Sequence, residues 1–296
     1  GSYGILNWIP DMLFLKIAYK GHTGRTLNLK NPQRFTEKLQ WLKLYDRNPL
    51  YTQLVDKYEV RNYLKDKIDD NHLVKLYGVY DSFDKINWDE LPDSFIMKCT
   101  HGCGCNHIVN NKADVDKRAL RKQFNKWMKK NPYPGTREWP YKNVKPRIIC
   151  EELLVDESGY ELKDYKFYCF HGEPKIIQVM SNRKNGSYNI NHFDITWNEI
   201  GFKQKKYQRN VQGIHIPFLL NEMIDICHIL AKEIPYVRID LYYTGTKTYF
   251  GEMTFFPASG FLDYENDQGD YLLGSWIDLS LVEKNQKEDA NVWKEK

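Results

Sequence analysis

No apolar run in this 296-residue chain approaches the ~20 residues a helix needs to cross a bilayer, and mean hydropathy is −0.66. A helical integral membrane protein is therefore excluded. A surplus of one charge is also missing: 43 Lys and Arg against 39 Asp and Glu leave only +4, far from a nucleic-acid-binding signature. Cysteine is sparse, at six residues, and a chain of this length needs no disulfide staples. No signal-peptide pattern opens the sequence, so free thiols and a cytoplasmic setting are expected. There is no internal repeat. What is present is a 42% hydrophobic fraction with 14 Phe, 8 Trp and 21 Tyr, enough for a sizeable core, and disorder is excluded. The length fits two or three lobes sharing one active unit.

Along the chain, residues 8–20 (Trp8, Ile9, Met12, Leu13, Leu15, Ile17, Tyr19) read as a short amphipathic helix. Core packing is expected for its apolar face, with contact at a membrane surface as the alternative. Asn31-Pro32 opens a second helical stretch carrying Phe35, Leu39, Leu42 and Leu44. Asn48-Pro49 opens a third, to about Lys67. The chain before Leu91-Pro92 is thus expected to be mostly helical. Strand patterns follow at Phe95–Cys99 and near Ile108, on either side of the loop Thr100-His-Gly-Cys-Gly-Cys105. Residues 114–130 read as a basic helix with a solvated face, and 131–146 as a Pro/Gly/aromatic loop. Further strands are expected at 147–155, 162–170 and 174–180, the last two joined by a turn at His171-Gly-Glu-Pro174. A helix at 218–233 precedes strands at 236–243 and 247–254, and Glu283–Lys296 reads as a surface tail. Interleaved helices and antiparallel strands give an α+β architecture.

The hairpin 237–254 carries the clearest chemistry. If its turn pivots on Thr246, Asp240 lies opposite Glu252, and alternation places Arg238, Asp240, Glu252 and Thr254 on one face. Val237, Ile239, Leu241 and Met253 take the apolar face. Opposed like charges destabilise a hairpin; a bridging divalent cation removes that conflict, and Mg²⁺ commonly takes one or two carboxylates plus phosphates. A solvent-facing polar stripe is the alternative. Lys98 alternates with Phe95, Met97 and Cys99 and runs into the glycine loop, where an ammonium beside backbone N–H groups can hold a phosphate. The same loop offers Cys99, His101, Cys103, Cys105 and His107, a set that could instead hold Zn²⁺, although i, i+2 residues on one strand wrap a tetrahedron poorly.

Taken in order, Lys98 with its loop, Glu151-Glu152-Leu153-Leu154, and Asp240 with Glu252-Met-Thr254 resemble the ATP-grasp superfamily. The chain most resembles the TupA-like (teichuronopeptide-biosynthesis) ATP-grasp proteins of surface-polysaccharide loci. The phrases carrying that resemblance are Asn31 to Trp41, Val55-Asp-Lys-Tyr58, Lys98-Cys-Thr-His-Gly102, Arg137-Glu-Trp-Pro-Tyr141, Lys163-Asp-Tyr-Lys-Phe167 and Phe250-Gly-Glu-Met-Thr-Phe255. Where the superfamily has Glu-x-Asn, this chain has Glu252-Met-Thr254.

The resemblance implies an ATP-grasp fold, with lid and core antiparallel sheets and a mostly helical N-terminal region. Its divisions would be 1–92 (helical), 93–155 (lid), 156–282 (core with the metal hairpin) and 283–296 (tail). It implies that Lys57, Lys98, Gly102 and Lys166 meet the ATP phosphates, and that Glu151, Leu153 and Leu154 meet adenine. Asp240, Glu252 and Thr254 would hold Mg²⁺, while Arg238 would steady the acyl phosphate. Ser259 and Gly260 lie where relatives bind a substrate carboxylate, and His101, Arg137, Trp139 and Arg183 are candidates for an anionic sugar. The implied reaction is ADP-forming carboxylate–amine ligation. Its substrates would be a hexuronic acid of a polysaccharide precursor and an amino acid, with no nucleic-acid partner. A membrane-linked substrate would bring peripheral contact at the inner membrane face. A metal-dependent glycosyltransferase is the alternative, and a non-catalytic module binding through the 114–130 helix a third reading.

Overall fold

The structure is a computed structural model and describes residues 8–159, 161–182 and 188–282. Arg183 and the expected tail lie outside the described residues. By contacts the chain divides into two compact units. The first holds Asn48–Leu162 and Leu241–Met253; the second holds Trp8–Arg47, Lys163–Asp240 and the chain from Thr254 onward.

The first unit is built on a four-stranded antiparallel sheet, order β1-β4-β2-β3, from β1 (Leu76–Tyr80), β2 (Phe95–Cys99), β3 (Asn106–Val109) and β4 (Ile148–Glu151). Alternation in β2 buries Phe95, Met97 and Cys99 on one face and leaves Lys98 on the other. The buried face meets α5 (Lys117–Met128), whose Leu120 and Phe124 enter the same core as Phe83, Leu91, Val109 and Ile148. Asp116 caps that helix, its carboxylate accepting from the N–H groups of Arg118 and Ala119 at 3.0 Å. The lysines and arginines of the basic run lie on its exposed side. Helices α3 (Leu50–Val55), α4 (Val60–Leu64) and α6 (Tyr133–Thr136) complete the unit.

In the second unit, β5 (Asp164–Phe170), β6 (Glu173–Ser181) and β7 (Asn189–Asp194) pair antiparallel. The strands β8 (Tyr236–Tyr243), within which the division by contacts falls, and β9 (Thr248–Thr254) give the sheet order β7-β6-β5-β8-β9. The expected turn between β5 and β6 is present: His171 and Gly172 both have positive φ (49° and 88°), as a two-residue hairpin loop of matching twist requires. Helix α7 (Leu220–Ala231) buries Leu220, Met223, Ile226, Cys227 and Leu230 at helical spacing and packs on β5 and β6. Helix α2 (Phe35–Tyr45) starts with Glu37 reaching back to the N–H groups of Gln33 and Arg34 at 3.0 and 3.1 Å. It docks on α8 (Asp267–Ser275), where buried Asp270 accepts from both the N–H and the hydroxyl of Thr36 at 2.9 Å.

Three expectations change. The region before Leu91, expected to be mostly helical, also holds a strand, β1, which pairs with β4. The strand expected at 147–155 ends at Glu151. Helix α1 (Asp11–Thr23) buries only Leu15 and Tyr19; Met12, Leu13 and Ile17, expected in the core, are exposed, as is Trp8. No described helix is long and apolar enough to cross a membrane.

Candidate functional site

In the first unit Lys57 is bonded to the loop after β2, and Lys98 lies in the strand that leads into it. Lys98 shares its sheet face with Glu151, because Ile96 pairs with Glu151 and Lys98 with Ile149. The Lys98 ammonium donates to Glu151 Oε2 at 2.8 Å, and Arg61 Nη1 donates to Oε1 at 3.3 Å. Glu151 therefore balances two cations. Lys57 is tied to the loop twice: its backbone N–H donates to the Thr100 carbonyl at 3.3 Å and its Nζ to the Gly102 carbonyl at 2.9 Å. Glu252 Oε2 lies 3.1 Å from the same Nζ. Burial pushes the Lys57 ammonium toward deprotonation, but Glu252, with weaker help from Cys103 and Glu151, outweighs it and holds the group above the ordinary lysine value. Lys57 is thus a fixed positive charge at neutral pH. Its neighbour Asp56 accepts from the N–H groups of Tyr58 and Glu59 at 2.8 and 3.2 Å, fixing the turn that aims Lys57.

The cysteines of this loop do not gather around a common point. Cys99 sits in the core, and Cys103 is exposed. His101 is buried, with Nε2 3.2 Å from the Trp127 carbonyl. Burial lowers its pKa. Cys99 and Cys105 hydrogen-bond to each other, which pulls the Cys105 thiol down. Among the described residues no group of three or more His, Cys, Asp or Glu could hold a metal by itself, which removes the zinc alternative for the described loop.

In the second unit Asp240 is the focus. It is 1% exposed, and both oxygens are taken by cations: Arg238 Nε donates to Oδ1 at 2.6 Å, Arg238 Nη2 to Oδ2 at 2.8 Å, and Lys166 to Oδ2. Asp164 Oδ2 lies 3.3 Å from the same Lys166 ammonium. Arg238 Nη2 also donates to the Thr254 hydroxyl at 3.1 Å, so Arg238, Asp240 and Thr254 do share one face, as alternation predicts. In β9, Met253 is buried while Glu252 and Thr254 are half-buried.

These groups suit a magnesium–nucleotide on chemical grounds. Two carboxylates, Asp164 and Asp240, already enclose a cation, the Lys166 ammonium. The donors are oxygens throughout, as Mg²⁺ prefers. A Mg²⁺ ion held there would draw the rest of its shell from substrate phosphates and water. Asp240 uses three of a carboxylate's roughly four lone-pair positions, leaving one.

After β9 the backbone enters three consecutive left-handed residues: Ala258, Ser259 and Gly260, with φ of 49°, 53° and 70°. Such residues cost energy unless the surroundings fix them. Here α2 supplies the support. Gln40 Nε2 donates to the Gly260 carbonyl at 2.9 Å, and fully buried Lys43 donates to the Ser259 carbonyl at 2.7 Å. A Cβ on residue 260 would sit 2.4 Å from Gln40 Nε2. Gly260→Ala is therefore expected to destabilise the protein by about 1–3 kcal/mol, read as a lower midpoint in urea; an unchanged midpoint would remove the case for a rigid loop.

The remaining candidates are dispersed. Arg137 is buried, in a left-handed conformation (φ 55°), and donates to the Pro134 carbonyl at 2.7 Å. Trp139 is buried against Tyr51, ring centroids 5.8 Å apart. Leu153 and Leu154 are half-buried beyond the end of β4.

A family model described as TupA-like ATPgrasp matches residues 37–278. The chain belongs to the TupA-like ATP-grasp family. Its mixed α+β architecture with antiparallel sheets is accordingly the ATP-grasp, ligase-type fold. Solved structures with a similar fold include the ATP-grasp ligase PsnB complexed with its minimal precursor (12% identity, 74% of this chain and 59% of that chain, TM-score 0.41). They also include D-alanine-D-alanine ligase from Helicobacter pylori (14%, 83% and 70%, 0.42). The same enzyme from Bacillus anthracis, complexed with ATP, gives 14%, 80% and 68%, with a TM-score of 0.46. The chain thus spans 59% of the PsnB structure's length. No curated protein matches. In the first unit Arg61 stands beside the candidate residues, and in the second Asp164, Gln40 and Lys43 do; local sequence pattern assigns none of them a role. Arg61, Gln40 and Lys43 pair with residues far away in sequence, so local pattern carries no sign of them, while Asp164 pairs with Lys166 two positions on.

Proposed function

We propose that the protein is an ATP- and Mg²⁺-dependent, ADP-forming ligase joining a carboxylate to an amine, with a hexuronic acid of a surface-polysaccharide precursor and an amino acid as substrates. The observation that carries this reading is a pair of lysines, Lys57 bonded to the Gly102 loop and Lys98 in the strand leading into it, each balanced by a carboxylate. Cations held ready in this way accept phosphate oxygens by exchanging partners, with no buried charge left unpaired. Lys57 and Lys98 take the phosphates, with Lys166 as a further cation, while Glu151, Leu153 and Leu154 border the base. Asp240 and Glu252 are the proposed magnesium ligands, with Thr254 contributing its hydroxyl. The bound ion would neutralise charge developing between transferring phosphate oxygens. Arg238, whose fork is fixed by Asp240, is the proposed cation that steadies the reacting carboxylate. In the reaction, a substrate carboxylate oxygen bonds to the γ-phosphorus as ADP leaves. The amine then attacks the acyl carbon, phosphate departs, and the amine proton passes to solvent.

The supported loop 257–260 is the proposed seat of the substrate carboxylate, through Ser259 and Gly260. The uronic acid assignment leans on the family's link to surface polysaccharides and on the arginine and tryptophan candidates: His101, Arg137, Trp139 and Arg183. The first three are packed within the described structure, so their role would be to shape the sugar site rather than to grip the sugar directly.

Lys98→Met tests the phosphate assignment. Glu151 keeps Arg61 as a partner, so the fold is expected to persist. Loss of one charge-assisted bond should weaken ATP–Mg²⁺ binding about 10- to 100-fold, measured by calorimetry. Wild-type protein should gain thermal stability with ATP–Mg²⁺ and none with nucleotide sugars; the reverse result would make it a glycosyltransferase. Mass spectrometry of ADP formation across a matrix of uronic acids and amino acids identifies the substrates.

A further inference from the structure

Helix α1 turns an apolar face outward. Trp8, just before it, is 77% exposed, and Ile17, Leu13 and Met12 are 61%, 51% and 42% exposed. At about 100° per residue, Met12, Leu13 and Ile17 fall with Lys16 and Lys20 inside one arc of about 140°, while Leu15 and Tyr19 lie outside it. Both lysines are exposed. No carboxylate shares the arc, and the helix's one acid, Asp11, is paired with Arg47 at 3.1 Å. Large exposed side chains are common one at a time, but several on one helix face, with Lys16 and Lys20 lying between Met12 and the Leu13–Ile17 pair, mark a contact surface in which apolar groups and cations alternate.

We infer that this face of α1 docks on an anionic lipid bilayer, lying in the plane of the interface. The charge pattern selects that occupant. Leu13, Ile17 and Met12 would enter the acyl boundary, Trp8 would sit at headgroup level, and Lys16 and Lys20 would reach lipid phosphates, their stems lying along the apolar surface. At 13 residues the helix is far too short to span, so the contact is peripheral. A protein acting on a lipid-linked acceptor would gain from being held at the surface carrying it, but the inference stands on α1 alone and does not need the ligase reading.

Co-sedimentation of the full 296-residue chain with vesicles of equal parts phosphatidylglycerol and phosphatidylcholine tests it. Wild-type protein should pellet with these vesicles and much less with phosphatidylcholine alone. Leu13→Gln with Ile17→Gln should lower binding at least about tenfold. Lys16→Glu with Lys20→Glu should lower it about thirtyfold or more on the anionic vesicles. Both pairs are exposed, so melting temperature and circular dichroism should match wild type. Failure of the wild type to bind overturns the inference, as does equal binding by wild type and both variants. So does a dimer that the Leu13/Ile17 variant converts to monomer without any vesicle binding, since a second copy would then cover the face. The thermal shift with ATP–Mg²⁺ should be the same in all three proteins, so failure here and failure of the ligase reading are told apart.

Discussion

Asp240→Asn is expected to lower ADP-forming turnover by roughly a thousandfold and, separately, to destabilise the fold. The catalytic loss follows from the proposed magnesium ligand: a neutral amide cannot replace a carboxylate on a hard cation, and losing charge stabilisation of this kind costs on the order of 4 kcal/mol in the barrier. The stability loss follows from what the structure shows directly. Asp240 is 1% exposed and holds both Lys166 and Arg238. Removing its charge takes the counter-charge from Lys166 and Arg238 together, and breaking a buried pair costs on the order of 3 kcal/mol. The two effects separate in the double variant Asp240→Asn/Lys166→Met. Taking away the surplus ammonium should restore much of the urea midpoint while turnover stays low. If Asp240→Asn kept turnover within tenfold of wild type, Asp240 would be a structural counter-ion and the metal assignment would go to other residues.

How much of this was legible in the sequence depended on range. The β8–β9 hairpin was, because alternation and a turn at Gly245 (φ 93°) are local signals, and they alone put Arg238, Asp240 and Thr254 on one face. The same holds for the His171-Gly172 turn and for Lys98 opposite Phe95 and Met97. β1 was missed because its reason for being a strand is its pairing with β4, some 70 positions later in the register Leu76–Glu151. β7 was missed for a different reason. Its sequence, Asn-Ile-Asn-His-Phe-Asp, has no apolar alternation, yet Asn191 is buried and exchanges hydrogen bonds with Asn210 at 2.9 and 3.1 Å. Hydrophobic pattern cannot see a buried strand whose polar groups are satisfied by a distant loop. Helix α1 shows the converse limit. Periodicity found its apolar residues but could not say which of them the fold would cover. At the site, charge type was readable and partner choice was not: Glu151, expected at adenine, is held by Lys98 and Arg61 before any nucleotide is considered.

Acid should unfold this protein through His192 more than through any other histidine. The imidazole is 2% exposed in β7, packs tilted against Phe202 at 4.6 Å between ring centroids, and is pushed by burial, with Arg209 adding repulsion, from an ordinary value near 6.5 down to about 3. Because the folded state keeps this ring neutral while the unfolded chain protonates it, the unfolded state binds more protons at every pH below about 6.5. Stability from this group is therefore complete above that value and is lost as pH falls, the loss ending only near pH 3. Between pH 7 and pH 5 the expected loss is about 2 kcal/mol, rising to about 4–5 kcal/mol once the folded-state ring also titrates. His101, His107 and His171 are lowered by burial as well and add to the slope in the same direction. His192→Phe keeps an aromatic ring against Phe202 and removes the proton site. Urea midpoints measured at pH 7 and pH 5 should converge by about 2 kcal/mol in the variant relative to wild type, whatever the variant's absolute stability. An identical pH dependence in the two proteins would mean that His192 is hydrated in solution and that β7 is not sealed as the structure places it.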